Sequence, residues 1–163
     1  MKDNLVKNIL DPEILVEGDG FSLLLKGITY DNSQWVTVPF SNFQKKYGQI
    51  PIDEEGEKDQ YLKMKSEEEL ESINEAYGFA EREVLQRAIR ACVKKVSGIG
   101  VIMKEGEAPI DLPLEFENDI LSKKSYEVLM RAISNDEAFV QNLYQKYTEL
   151  VDFSKYVVIK KKS

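Results

Sequence analysis

The sequence of 163 residues contains no histidine and one cysteine, Cys92. Histidine is the commonest general base and the commonest metal ligand, so its absence removes the usual acid–base and zinc chemistry. A lone cysteine cannot form an internal disulfide bond, which is typical of proteins in a reducing compartment. These absences favour binding or assembly over catalysis. We therefore expect no enzymatic activity, no catalytic residue, no metal site and no cofactor.

Long apolar runs are also missing. The longest stretches, such as Leu23-Leu24-Leu25, are far too short to cross a bilayer, and the N-terminus has no run of signal-peptide length. We expect an intracellular protein with no membrane partner. The net charge of -7 disfavours direct binding of nucleic acid and favours basic protein surfaces as partners. The hydrophobic fraction of 42% is enough for a core.

Short apolar runs broken by turn residues predict two or three antiparallel strands between residues 13 and 40. The turn signals are Gly18-Asp19-Gly20 and Asp31-Asn32-Ser33, and Trp35-Val36-Thr37-Val38 has the composition of a strand. Residues 41–65 then form an acidic connector. Its centre, residues 53–57, is either a solvated loop or a docking strip for a basic partner.

The rest of the chain has helical periodicity. Ser66 and Glu69 form a capping box, and apolar residues at steps of three and four from Leu70 to Val96 predict one long helix that contains Cys92 as a packed core thiol. The further predicted elements are a short hairpin (99–103 with 108–112), a second helix (122–133), a third helix after a capping box at Ser134 and Glu137, and an added strand (156–159).

These patterns predict a single α+β domain over residues 1–163. A small antiparallel N-terminal sheet is followed by a mainly helical C-terminal half, with a short hairpin between helices. The β segment covers 13–40, the connector 41–65 and the helical part 66–155.

Four aromatic residues lie close together at the end of the predicted β segment. Pro39 and the connector are expected to leave this sheet edge uncovered, and exposed aromatics are enriched in interface hot spots. The predicted partner-binding residues are therefore Trp35, Phe40, Phe43 and Tyr47, together with the exposed side of the third helix. The alternative is that these four side chains pack in the core.

From Ala91 onward the order of elements resembles the tail assembly chaperones of long-tailed bacteriophages. The matching text is ACVKKVSGIGVIMKEGEAPIDLPLEF, then SYEVLMRAIS, then DEAFVQNLYQKYTEL, and EILVEGDGFSLLLKGI is similar to the strands that open many such proteins. The resemblance implies a non-enzymatic phage tail assembly factor in the host cell cytoplasm, which binds tape-measure and tail-tube proteins. It carries no catalytic residues with it.

An alternative function uses the acidic residues instead. A small acidic inhibitor, such as an anti-defence protein, could block a basic host nucleic-acid-binding protein by presenting carboxylates as phosphate surrogates. The candidate carboxylates are Asp53, Glu54, Glu55 and Glu57, or Glu67 to Glu69. The sequence also leaves open that the chain forms a homo-oligomer.

Overall fold

The computed structural model describes residues 12–48, 65–151 and 160. The chain divides into two compact units, which we call the sheet unit (residues 1–29 and 89–163) and the helical unit (residues 30–88). The described elements are β1 (Glu13–Glu17), β2 (Ser22–Lys26), α1 (Tyr30–Tyr47), α2 (Glu67–Cys92), β3 (Val93–Ser97), β4 (Gly100–Val101), β5 (Ile110–Asp111), β6 (Phe116–Glu117), β7 (Ile120–Leu121), α3 (Lys123–Ile133) and α4 (Glu137–Val151). The predicted α+β class with a small N-terminal antiparallel sheet is confirmed. The prediction of a single domain stays a prediction.

The sheet unit is built around a three-stranded antiparallel sheet in the order β1-β2-β3. Alternate residues of β1 and β2 face the core, so Val16, Leu23 and Leu25 are fully buried. Gly98 adopts a φ of +84°, and a Cβ there would lie 2.3 Å from the Gly20 carbonyl oxygen. The turn after β3 therefore requires glycine both for its backbone conformation and for this close approach.

The long helix predicted from Ser66 begins where expected and ends early. The Glu69 backbone N–H donates to Ser66 Oγ at 3.2 Å, which confirms the predicted helix start. The helix ends at Cys92, however, because Val93 and Val96 pair with β2 opposite Leu25 and Leu23. A spacing of three residues is helical, but the register shift between Leu24 and Leu25 lets both valines lie opposite core residues of β2, and completing the sheet overrides the helical pattern.

Two further helices complete the core of the sheet unit. Ser122 caps α3 by accepting from the Ser125 N–H at 3.1 Å, as the predicted second helix requires. The predicted cap of the third helix is wrong. Asp136 accepts from the Phe139 N–H at 3.0 Å, whereas Ser134 lies at the C-terminal end of α3, where its N–H donates to the Met130 carbonyl. A turn separates the two helices, so the cap falls two residues later than predicted.

The largest correction concerns residues 30–47, which are helical. The strand predicted at Trp35–Val38 lies inside α1, so the N-terminal β segment ends at Lys26 instead of residue 40. β-branched Val36, Thr37 and Val38 favour a strand locally. Tertiary packing of the apolar face of α1 against α2 overrides that preference.

The remaining predictions fall partly outside the described residues. Antiparallel pairing of β4 with β5 confirms the short hairpin. The start of the predicted connector belongs to α1, while its acidic centre at 53–57 and the strand predicted at 156–159 lie outside the described residues. Within the part of the chain that the structure describes, no helix is both long and apolar enough to span a membrane.

Candidate binding surfaces

The four predicted partner-binding aromatics lie on α1, so their placement at an uncovered sheet edge is wrong. Phe43 is 7% exposed and packs with Ile73 and Ala80 of α2 in the core of the helical unit. Phe40 and Tyr47 are partly buried against the same core. The first role of these three side chains is therefore to hold α1 against α2.

Tyr77 of α2 completes this aromatic cluster, and sequence reasoning missed it. Its ring stacks on Phe40 at a centroid distance of 5.9 Å and meets Phe43 edge-to-face at 5.6 Å. Phe43 also contacts Tyr47 at 5.0 Å. The helical arrangement of the α1 side chains could be found in the sequence, since Val36, Phe40, Phe43 and Tyr47 recur at steps of three and four, which is the helical period.

Trp35 stands apart from the cluster and is held by Arg87. Proline has no backbone N–H, so Pro39 cannot donate the helical hydrogen bond that the Trp35 carbonyl would otherwise accept. Arg87 Nη1 donates to that carbonyl oxygen at 2.8 Å, and the guanidinium carbon lies 4.9 Å from the centroid of the Trp35 ring. The arginine of α2 thus satisfies the carbonyl that the proline of α1 leaves open.

An open groove of about 910 Å³ follows the two helices. Phe43 and Ala80 are buried and form its floor, while Lys46 lies on the α1 side and Phe79 and Glu83 lie on the α2 side. Phe79 is 61% exposed, although an aromatic ring of its size is usually covered in a folded protein. The groove is therefore one candidate binding surface.

The second candidate surface is the hairpin of β4 and β5 in the sheet unit. Three large apolar side chains meet solvent there: Ile102 is 63% exposed, Met103 64% and Ile110 51%. We call these three residues the apolar tip. At the base of the hairpin, the N–H of buried Leu112 donates to the Ile99 carbonyl at 2.9 Å. The base is thus anchored in the core while the tip stays exposed.

The predicted core position of Cys92 is confirmed. Its side chain is fully buried, and burial raises the pKa of the thiol from 9.0 to about 12, with a smaller opposing effect from Lys26. A thiol with so high a pKa remains protonated near neutral pH and is a poor nucleophile.

Carboxylates do not converge on a metal site in the described part of the chain. Over residues 12–48 and 65–151, no group of three or more cysteine, aspartate or glutamate side chains is arranged to hold a metal ion. The acidic residues from Asp111 to Asp119 belong to no such group, and their side chains are exposed.

Comparison with known protein families, with curated proteins and with solved structures finds no match to this chain.

Proposed function

We propose that this chain is a non-enzymatic phage tail assembly factor, which binds tape-measure and tail-tube proteins in the cytoplasm of the host cell. The observation that supports a binding role is the apolar tip at Ile102, Met103 and Ile110. The tail assembly role itself rests on the resemblance that begins at Ala91, and the apolar tip lies inside that segment.

The tip has the physical properties of an interface anchor. Large apolar side chains that stay in water on a folded protein gain about 1.5–3 kcal/mol each when they are fully buried. Clustered exposed apolar residues mark interaction sites more often than isolated ones do. Because the hairpin base is fixed by the Leu112–Ile99 hydrogen bond, little conformational freedom is lost when the tip enters an apolar cleft of a partner.

The proposal predicts that tape-measure and tail-tube genes lie beside this gene, and co-purification of this chain with their products tests it. Ile110→Asp should abolish capture of these proteins, because a carboxylate cannot enter an apolar cleft without a large desolvation cost. Leu15→Asp is the matched control, since Leu15 is also 51% exposed and lies in the same unit on β1. Equal capture by wild type and Ile110→Asp would reject the tip as the binding surface. Failure of the wild type to capture either protein would reject the tail assembly role.

The acidic inhibitor is less well supported. Glu67, Glu68 and Glu69 occupy the first turn of α2, where negative charge complements the helix dipole and stabilises the helix. Their position therefore has a structural explanation, and the other candidate carboxylates at 53–57 lie outside the described residues. Recovery of a host nucleic-acid-binding protein in place of both tail proteins would favour this alternative.

A further inference from the structure

We propose that the groove of the helical unit is the interface of a homodimer, in which α2 of one copy crosses α2 of a second copy antiparallel. Phe79 of each copy would then lie over Ala76 of the other. This dimer is independent of the proposed function, because it concerns the helical unit and not the apolar tip.

The shape of α2 along the groove suits a second copy. Ser72, Ala76, Phe79 and Glu83 all line the groove and follow one another at steps of four, three and four. That spacing is the seam of a coiled coil, so the four side chains share one face of α2. The seam carries two small residues followed by one large apolar residue, and the large one is 61% exposed.

This order of small and large residues is self-complementary about a twofold axis. In an isologous contact, if residue i of one copy meets residue j of the other, then j also meets i. A twofold axis between Ala76 and Phe79 places each Phe79 ring against the small Ala76 of the second copy. The same axis places Ser72 opposite Glu83. Both Phe79 rings, which are exposed in the monomer, are thereby covered in the dimer.

Charged side chains flank both ends of the seam: Lys46, Glu68 and Glu69 lie beside Ser72, and Arg82 lies beside Glu83. Lys46 and Ser72 line the same two grooves, so Lys46 of α1 lies beside the Ser72 end of the seam. The twofold axis brings Glu83 of the second copy to that end, and Lys46 then meets an opposite charge across the interface. The symmetry repeats the pair, so the dimer gains two Lys46–Glu83 contacts. Charge complementarity of this kind fixes register and orientation.

The test is sedimentation velocity on the full chain over a wide range of concentration. Wild type is expected to dimerise, and Phe79→Ala, which removes one central aromatic anchor from each copy, is expected to raise the dimer dissociation constant about a thousandfold. Phe79 is exposed in the monomer, so its truncation should leave the helical circular dichroism signal unchanged. Tyr30→Ala is the control, because Tyr30 is an exposed aromatic of the same unit that does not line the groove.

Charge reversal tests the register. Lys46→Glu and Glu83→Lys should each weaken the dimer about tenfold, because each places like charges opposite one another. The double variant restores two opposite-charge pairs and should dimerise nearly as well as wild type. A monomeric wild type, an unchanged dissociation constant for Phe79→Ala, or a double variant as weak as the singles would each overturn the proposal. Ile110→Asp should dimerise normally, which separates this inference from the tail assembly role.

Discussion

The sheet unit and the helical unit differ in how their cores are built. Among the described residues of the sheet unit, thirteen buried apolar residues drawn from strands, hairpins and helices form one cluster. In the helical unit, the described cluster of buried residues is Phe43, Ile73 and Ala80, surrounded by partly buried aromatic side chains. The first core is deep and uses many elements, whereas the second depends on a few large rings between two helices. Among the residues that the structure describes, the helical unit therefore buries fewer apolar side chains than the sheet unit does.

The largest expected effect is a decrease in the free energy of unfolding when a large core side chain of either unit is truncated to alanine. Leu129→Ala should lower it by about 4 kcal/mol, because Leu129 is fully buried in the deep cluster and leaves a cavity. Phe43→Ala should lower it by about 3 kcal/mol, since the groove beside Phe43 lets neighbouring side chains relax into the space. Urea denaturation measures both values.

Hydrogen exchange then shows where each loss occurs. Phe43→Ala should speed exchange mainly in residues 30–48 and 65–88, while β1 to β3 keep their protection. Leu129→Ala should speed exchange in the sheet and in α3 and α4. Uniform acceleration over both units in the Phe43→Ala protein would contradict the contrast between the cores.

The same contrast explains how much of the molecule was predictable from sequence. In the sheet unit, the turn at Gly18–Gly20, the helical period of the second predicted helix and the apolar runs of the short hairpin are local signals, and the structure confirms the elements they predict. In the helical unit, the local signal at Val36–Val38 favoured a strand, whereas the helix is stabilised by contacts with α2, which lies far along the chain. Exposure of the apolar tip was not predictable either, because a hairpin pattern does not tell which side chains the core leaves uncovered.

A smaller effect is expected at the contact between Arg87 and Trp35. Arg87→Ala should lower the free energy of unfolding by about 1–2 kcal/mol, because it removes the donor to the Trp35 carbonyl and the cation over the ring. In a Pro39→Ala background the loss should shrink, since an alanine at this position supplies the helical N–H that proline lacks. The double-mutant cycle isolates this coupling. Equal losses in both backgrounds would mean that the hydrogen bond to the carbonyl contributes nothing.

The smallest effect appears only in alkaline solution and concerns the deep core of the sheet unit. The pKa of Cys92 is raised from 9.0 to about 12 by burial, so above pH 9 the unfolded chain loses the thiol proton while the folded chain keeps it. The folded state then binds more protons than the unfolded state, and stability falls as pH rises towards 12. Burial also raises the pKa of Tyr147, which adds to the loss in the same direction.

Cys92→Val separates the thiol from the rest of the core, because valine has a similar volume and no ionisable group. At pH 10 the wild type should have lost about 1 kcal/mol relative to pH 8, and the Cys92→Val protein should have lost less. Tyr147→Phe in the valine background should flatten the remaining slope. Urea denaturation at each pH measures these differences. If wild type and Cys92→Val follow the same pH profile, the thiol meets water in the folded state, and the sheet unit is then less tightly closed than its fully buried residues indicate.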